Sequence, residues 1–298
     1  MTLEQDLQRF SGKEVYVLLN SGNAGDGLIH EGGRRLFRKL GIRTREFLYP
    51  ADVEGETLLI YGCGGFGGVS TRRVGESRHY IPRFREIIIL PSSFDTGRSE
   101  VATFLGELPS NVTVYSREKI SHAMAREVMT FPDNLRLDQD LAFHCDYRSW
   151  AANPGTGTLV CFRTDAETAR KTLPPATIDV SRFGDKHDSW PLLYTVSRFA
   201  EVHTDRMHVG IVAAMTGKKT FLFDNSYHKI RAVYEHSLSG MEHVRYMGQE
   251  SPTASPSAGS RFRMRLIHVL MRLRKPLVRA IYHLPRRRLR SSSPPVTS

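Results

Sequence analysis

Short apolar runs alternate with amphipathic segments from residue 14 onward, and this alternation limits the fold more than any other feature of the 298-residue chain. The apolar runs predict buried strands of a parallel sheet, and the segments between them predict helices. The first four runs cover residues 15–19, 57–61, 86–90 and 112–115. Because ligands bind at the carboxyl ends of strands in such sheets, the polar and glycine-rich loops after these runs are candidate binding sites.

A segment rich in Asn, Pro and Gly, residues 146–156, separates a second α/β unit from the first. We therefore predict two open Rossmann-like α/β domains, residues 1–150 and 151–250, with a cleft between them. The first domain includes a predicted helix at residues 28–40. The second has predicted strands at residues 157–162, near 177–180, at 201–203 and at 219–223, and predicted helices at 189–199 and 207–216.

The formal net charge of +11 comes from the C-terminal end of the chain. No Asp or Glu follows Glu250, whereas eleven Lys and Arg residues do, so the first 250 residues carry equal numbers of acidic and basic side chains. A nucleic-acid-binding protein would need a basic body and basic segments interleaved with aromatic residues, so this class is disfavoured. The excess charge instead predicts a specialised tail.

A linker of Ser, Pro, Ala and Gly at residues 253–260 precedes a predicted helix with one apolar and one basic face. The apolar face comprises Phe262, Leu266, Val269, Leu270, Leu273, Leu277, Ile281 and Leu284. The opposite face comprises Arg261, Arg265, His268, Arg272, Lys275, Arg279 and His283. The pattern predicts that residues 251–298 form a linker and a basic amphipathic tail lying on an anionic membrane, kinked at Pro276. A helix docked onto a partner protein is the alternative.

The location and redox state of the chain are predicted from two further observations. No apolar run approaches the roughly 18 residues needed to cross a bilayer, and residues 1–10 carry charges where a signal peptide would be apolar. We therefore expect a cytoplasmic protein that is peripherally associated with the inner face of the cell membrane. The spacing of Cys63, Cys145 and Cys161 fits neither a zinc site nor a disulfide framework, which predicts reduced, buried thiols.

Two loops at the predicted carboxyl edge of the first domain have the composition of binding loops. Asn23 and Asp26 lie between a strand and a helix, where backbone N–H groups and the helix dipole favour an anion or a sugar hydroxyl. A role in turning and capping the helix fits the same residues. Residues 62–68 match the dinucleotide pattern G-x-G-x-x-G, but no obvious ribose-binding acid follows. Gly64 and Gly65 are interpreted as a cleft wall that approaches substrate closely.

The densest polar cluster, residues 203–208, follows a predicted strand and begins a predicted helix. Arg206 is suited to bidentate binding of a carboxylate or phosphate, and His208 titrates where a general acid operates. A capping Thr204 or Asp205 beside a solvated arginine fits the same composition. In the loop after the strand at 219–223, Lys229 is a candidate contact for an anion.

Seven motifs occur in an order that resembles the polysaccharide pyruvyltransferase family, over approximately residues 15–238. They are Asn23-Ala24-Gly25-Asp26, the glycine segment 62–68, Ser116-Arg117-Glu118, Asp140-Leu141-Ala142-Phe143, Arg163-Thr164-Asp165-Ala166-Glu167, Thr204-Asp205-Arg206-Met207-His208 and Asn225-Ser226-Tyr227-His228-Lys229. The resemblance implies a fold similar to GT-B glycosyltransferases, with the acceptor on the N-terminal domain and the donor on the second. It also implies transfer of a pyruvyl group from phosphoenolpyruvate to a sugar of an exopolysaccharide or its lipid-linked repeat unit, forming a pyruvate ketal.

The resemblance and the chemistry of the residues together assign roles. Ketal formation needs a proton donor, cations for a carboxylate and a phosphate, and a base for the hydroxyls. The family's Arg-x-His signature falls on Arg206 and His208, and its arginine after the fourth strand falls on Arg117. We expect His208 and Asp26 to be catalytic, Arg206, Arg117 and Lys229 to bind the donor, and Asn23, Gly64 and Gly65 to face the acceptor. Apart from phosphoenolpyruvate as donor substrate, neither a cofactor nor a metal ion is expected.

Two other functions remain open from the residues alone. A GT-B glycosyltransferase with a nucleotide-sugar donor would need a ribose-binding carboxylate, for which Asp224 is the candidate. A non-enzymatic membrane adaptor would use only the basic helix, so Arg206 and His208 would tolerate substitution.

Overall fold

Two parallel β-sheets form the framework of the computed structural model. It describes residues 1–62, 64–68, 70–250 and 256–283, with side chains up to Arg274. Within this part of the chain the first sheet has the strand order β2-β1-β3-β4-β5-β6, with all neighbouring pairs parallel. Its strands are β1 (Glu14–Leu18), β2 (Arg43–Phe47), β3 (Gly55–Ile60), β4 (Phe84–Ser92), β5 (Val112–Ser116) and β6 (Leu135–Leu137).

Helices accompany the strands of this sheet. They are α1 (Leu3–Leu7), α2 (Ala24–Lys39), α3 (Arg72–Tyr80), α4 (Ser99–Gly106) and α5 (Lys119–Val128). Ile87, Ile88 and Ile89 of β4 are fully buried, because this central strand is covered on both faces. Because the strands are parallel, the loops that follow them lie together at the carboxyl edge of the sheet.

The second sheet has the strand order β10-β9-β8-β7 and is also parallel. Its strands are β7 (Thr158–Cys161), β8 (Glu201–Thr204), β9 (Lys219–Phe223) and β10 (Val244–Gly248). The helices of this part of the chain are α6 (Arg148–Ala151), α7 (Trp190–Ser197), α8 (Met207–Met215), α9 (Lys229–Val233) and α10 (Ala258–His283). Helix α8 is almost entirely buried because its sequence is apolar on every side.

Several predicted elements differ from those observed. The strand predicted near residues 177–180 is wrong, because residues 177–179 form neither strand nor helix and Val180–Phe183 forms a 3-10 helix. Strands β2, β6 and β10 were not predicted. β2 is half-exposed with a charged sequence, and β6 has three residues, so neither has the apolar run of a buried strand. Helix α2 begins at Ala24 rather than at residue 28.

The two sheets share a packed boundary. Helix α2 of the first sheet packs against α7 and α8 of the second. Ala24 and Leu28 belong to the same buried cluster as Leu192 and Val212. The predicted domain limit at residue 150 falls between β6 and β7, and the limits at 150 and 250 stay predictions.

Helix α10 differs from the predicted tail in how it uses its faces. The face opposite the predicted apolar stripe is itself apolar, and Met264, Ile267 and Met271 of this face are buried against the second half of the protein. The arginines lie at the borders between the two apolar faces, so the prediction of a basic opposite face is wrong. The backbone stays helical through Pro276 to His283. Leu284 and the arginines at 286–288 and 290 lie outside the described residues.

No helix in the described ranges is long and apolar enough to cross a membrane. Cys145 and Cys161 are buried free thiols, as predicted, and burial raises the pKa of both. Cys63 lies outside the described residues.

Candidate active site

A cavity of about 190 Å³ lies where loops from both sheets meet. All eight residues predicted from the sequence line it: Asn23, Asp26, Gly64, Gly65, Arg117, Arg206, His208 and Lys229. The other lining residues are Ser21, Ser70, Arg72, Arg163, Glu167, Ser181 and Met207. The structure thus brings the predicted residues together, and their roles stay predictions.

The loop after β1 caps helix α2 and lines the cavity at the same time. Asn23 Oδ1 accepts a hydrogen bond from the Gly25 amide at 2.8 Å, and Asp26 Oδ2 accepts one from the Asn23 amide at 2.9 Å. These bonds form a capping box, so the capping interpretation describes the loop correctly. The Asn20 side chain also donates to Asp26 Oδ1 at 2.9 Å. Asp26 is therefore held firmly while it remains in the cavity wall.

Helix α2 approaches His208 closely because residue 25 is glycine. A Cβ atom on Gly25 would lie 2.5 Å from His208 Nδ1, which is shorter than any non-bonded contact allows. On the other side of the ring, Nε2 lies 3.7 Å from Asp140 Oδ2, too far for a hydrogen bond. The His208 side chain is 15% exposed, so a ligand in the cavity can reach the imidazole.

The glycine segment allows the loops after β3 and β4 to pack tightly. A Cβ atom on Gly62 would lie 1.9 Å from Ser92 Oγ and 2.6 Å from the Pro91 carbonyl oxygen, so a side chain there would collide with the end of β4. Gly64 and Gly65 lie in a 3-10 helix and form part of the cavity wall. Helix α3 begins only at Arg72, after the glycine segment has ended, whereas in a dinucleotide site the glycine motif itself begins the helix.

Arg206 is buried and held by two carboxylates rather than solvated. Its Nε donates to Asp179 Oδ1 at 3.0 Å, its Nη2 donates to Asp179 Oδ2, and Nη2 lies 2.8 Å from Asp165 Oδ2. Thr204 Oγ1 accepts a hydrogen bond from the Arg206 amide at 2.9 Å and fixes the backbone. The guanidinium is therefore oriented before any ligand arrives.

Arg117 and Asp140 form a second buried pair, each 1% exposed. Arg117 donates from Nη1 to Asp140 Oδ2 at 2.7 Å and from Nε to Ser93 Oγ at 2.9 Å. Burial raises the pKa of Asp140, but the neighbouring His208 and Arg117 lower it well below its usual range. Asp140 is thus an anion between Arg117 and His208. Arg117 follows the fifth strand of the chain, because β2 had been missed.

Lys229 and Arg163 converge on Glu167. Lys229 Nζ lies 2.6 Å and Arg163 Nη1 lies 2.5 Å from Glu167 Oε2. Burial raises the pKa of Glu167, but the positive charges of Lys229 and Arg163 outweigh this effect. The pKa of Glu167 therefore lies below its usual value. Burial lowers the pKa of Lys229 to about 8, although Glu167 opposes this shift. Lys229 therefore titrates only slightly above neutral pH.

Sequence reasoning missed several charged residues of the site. Arg72 lies four residues after the glycine segment, lines the cavity and pairs with Glu76 at 3.4 Å. Arg163 and Glu167 belong to a motif of the resemblance but had received no role. A signal was available, because Arg163 directly follows a predicted buried strand. Each of the five lining cations pairs with at least one carboxylate from the set Glu76, Asp140, Asp165, Glu167 and Asp179.

Asp224, the candidate carboxylate for a nucleotide-sugar donor, does not line the cavity. Its Oδ1 accepts a hydrogen bond from the Tyr246 hydroxyl at 2.5 Å. In the part of the chain that the structure describes, no group of three or more His, Cys, Asp or Glu residues is arranged to hold a metal ion.

Comparisons with known proteins give one family and one fold. The family model described as "Polysaccharide pyruvyl transferase" matches residues 23–227. A protein of Bacillus subtilis (strain 168), named "Putative pyruvyl transferase EpsO", is 24% identical over 284 residues, covering 77% of this chain and 86% of that protein. The crystal structure of an uncharacterized protein from Klebsiella pneumoniae subsp. pneumoniae NTUH-K2044 superposes with a TM-score of 0.69 at 22% identity. It covers 82% of this chain and 96% of the other, which shows a shared fold.

Proposed function

Since the chain belongs to the polysaccharide pyruvyl transferase family, we propose that it transfers a pyruvyl group from phosphoenolpyruvate to a sugar of an exopolysaccharide or its lipid-linked repeat unit. The observation that carries this proposal is the placement of His208 and five cations around a cavity of about 190 Å³. Clefts that hold drug-sized ligands enclose about 300–1,000 Å³. The cavity therefore suits a compact anion with one carboxylate and one phosphate better than a nucleotide sugar.

The cations approach this anion from both halves of the protein. Arg163, Arg206 and Lys229 come from the second sheet, and Arg117 comes from the first. Planar guanidinium groups bind carboxylate and phosphate oxygens in pairs, and burial makes each contact stronger than in water. Arg206 and Arg117 are the principal donor ligands in this proposal, and Lys229 adds a titratable charge.

The reaction begins with protonation of the donor's methylene carbon by the His208 imidazolium, which turns this carbon into a methyl group. The adjacent C2 becomes an oxocarbenium-like centre, and an acceptor hydroxyl oxygen forms a bond to it. The C–O bond to phosphate then breaks, and its electron pair leaves with the phosphate. A neighbouring hydroxyl of the sugar forms the second C–O bond and closes the ketal. Of the two hydroxyl protons released, one restores the imidazolium and the other leaves on the phosphate.

The acceptor sugar faces α2 and the glycine segment in this proposal. Asp26 is held by Asn20 and by the Asn23 amide, so its carboxylate is positioned to accept a hydroxyl proton and to pass it on to the departing phosphate. Gly64 and Gly65 leave room for the sugar ring, because they add no side chain to the cavity wall.

Thermal unfolding with candidate donors tests the choice of donor. A ligand that binds only the native state stabilises it by about 2.7 kcal/mol at a concentration of 100 times Kd. We expect phosphoenolpyruvate to raise the melting temperature and UDP or GDP to leave it unchanged. A rise with a nucleoside diphosphate and none with phosphoenolpyruvate would favour the glycosyltransferase alternative instead.

The variant His208→Ala separates binding from chemistry. It should keep the stabilisation by phosphoenolpyruvate, because the cations remain, and should lose pyruvyl transfer by about 10²- to 10⁴-fold, because the proton donor is gone. Transfer is measured as acceptor-dependent release of phosphate from phosphoenolpyruvate. Near-normal turnover in this variant would remove the assigned role of His208.

A further inference from the structure

Helix α10 has two apolar faces, and only one of them is covered. Met264, Ile267 and Met271 are at most 3% exposed and pack against the second half of the protein. The rings of His268 and Phe183 lie 5.3 Å apart, which joins the helix to the segment after Asp179. The helix is therefore anchored to the body that holds the cavity.

The outward face carries a continuous apolar stripe. Its side chains are Phe262, Leu266, Val269, Leu270 and Leu273, exposed at 69%, 48%, 54%, 45% and 65%. At 100° per residue they fall within one sector of the helix, opposite the buried methionines. Exposing five large apolar side chains side by side is unfavourable in water, so this stripe indicates a surface that another phase or molecule covers.

Arginines border the stripe on both sides. Arg261, Arg265 and Arg272 are exposed along one border, and Arg263 and Arg274 lie along the other. Arg274 pairs with Asp188, whereas Arg265 and Arg272 form no ion pair with a described residue. No Asp or Glu occurs anywhere in α10. The surface around the stripe is thus positive on both sides.

A groove of about 570 Å³ opens beside this stripe, between α10 and residues 175–178. Its lining combines apolar groups, among them Met264 and Val269, with the arginines Arg261 and Arg265. A lipid presents the same two chemistries, an anionic head group next to hydrocarbon. The groove and the stripe therefore both combine apolar groups with positive charge, and they lie on the same side of the protein.

We propose that the outward face of α10 docks onto the surface of an anionic lipid bilayer, with the apolar stripe entering the acyl boundary and the arginines contacting the head groups. Apolar burial and attraction to acidic lipids act together in such helices. Pairing of two copies through this stripe would bring arginine rows of the same sign together, which opposes dimerisation. The proposal does not depend on the pyruvyl transfer reaction.

Sedimentation of the full-length protein with vesicles tests the proposal. We expect binding to vesicles of phosphatidylcholine with phosphatidylglycerol, little binding to phosphatidylcholine alone, and weakening with added salt because salt screens surface charge. The double variant Leu266→Asp/Leu270→Asp should reduce binding at least tenfold. Phe131→Asp, at a side chain 42% exposed far from α10 in sequence, is the matched control and should bind normally.

A second pair of variants tests the charge. Arg265→Glu/Arg272→Glu should also reduce binding to the anionic vesicles at least tenfold, and its melting temperature should match the original because both side chains are exposed. Unchanged vesicle binding in the Leu266→Asp/Leu270→Asp protein would overturn the proposal. So would a dimer in sedimentation equilibrium that dissociates in that variant, since the stripe would then be a contact between copies of this chain.

Discussion

Arginine serves two regions of this protein in opposite ways. In the cavity, Arg117, Arg163 and Arg206 are at most 6% exposed, and each is fixed by carboxylates. Along α10, Arg265 and Arg272 are exposed and form no ion pair with a described residue. Hydrogen bonds fix the direction of these three cavity arginines, whereas no ion pair with a described residue fixes that of Arg265 or Arg272.

The two regions place different requirements on their arginines. A buried guanidinium needs partners because an unpaired buried charge is costly, and the partners also set its direction. An exposed arginine beside apolar side chains needs only to be near an anionic surface. We therefore expect Lys to replace Arg on α10 and to fail in the cavity.

The largest effect is expected for Arg206→Lys. The variant keeps a cation beside Asp179, but an ammonium group cannot reproduce the paired bonds of the guanidinium. We expect kcat/KM for phosphoenolpyruvate to fall by about 10²- to 10³-fold, with a smaller change in melting temperature than Arg206→Ala causes. Steady-state kinetics measure the loss. Activity equal to that of the unaltered protein would mean that fixed geometry does not matter in the cavity.

The variant Gly25→Ala tests placement without touching any charge. A methyl group 2.5 Å from His208 Nδ1 must displace the imidazole, and we expect turnover to fall by roughly 10- to 100-fold. The matched control is Gly75→Ala in α3, where the added methyl group meets no atom within 4 Å. That variant should be fully active and about 1 kcal/mol more stable, because alanine favours helix. Equal activity of the two variants would contradict the prediction.

The pH dependence of donor binding gives an effect of several-fold. The pKa of Lys229 is about 8 in the native state, so its positive charge is lost as pH rises from 7 to 9. We expect KM for phosphoenolpyruvate to rise over this range, and Lys229→Arg to abolish the rise because arginine stays charged. The same rise in both proteins would assign the titration to another group.

The same pKa fixes the sign of a stability change. An unfolded lysine titrates near 10.4, so between pH 8 and that value the unfolded chain binds more protons than the native one. Its contribution to the free energy of unfolding therefore increases with pH in this window. Denaturant unfolding of the original and Lys229→Met proteins at pH 8 and pH 10 measures how much the free energy of unfolding increases between these pH values. The increase should be smaller in the variant.

The smallest effect is expected on α10. Arg265→Lys/Arg272→Lys keeps both charges on exposed positions, so binding to anionic vesicles should change less than about twofold. Vesicle sedimentation measures it beside Arg265→Glu/Arg272→Glu. A large loss on changing Arg to Lys would show that these side chains bind a defined ligand rather than a charged surface.

Eight of the cavity residues could be identified from the sequence because they lie shortly after apolar runs. The parallel topology places Arg117 at the carboxyl edge of the first sheet, and Arg206 and Lys229 at the carboxyl edge of the second. Their partners were harder to recognise. Asp179 lies within the predicted strand near 177–180 and in fact precedes a 3-10 helix, and Asp140 contacts Arg117 only through the tertiary fold.

Helix α10 is a second example of what the sequence alone could not predict. A helical period identified the stripe from Phe262 to Leu273, because large apolar residues recur at regular intervals. Met264, Ile267 and Met271 recur at equally regular intervals. The periodicity alone does not say which of the two apolar faces is buried and which is exposed. Only packing against the second sheet distinguishes the covered face from the open one.

The pairing of every cavity cation with a carboxylate has a consequence for turnover. An anion that binds these cations shares each of them with a carboxylate of the protein, so the attraction it feels is weaker than it would be from unpaired cations. In the proposed reaction the same carboxylates compete with the phosphate product for these cations, and we expect this competition to favour its release. A balanced site of this kind is suited to product departure as much as to substrate capture.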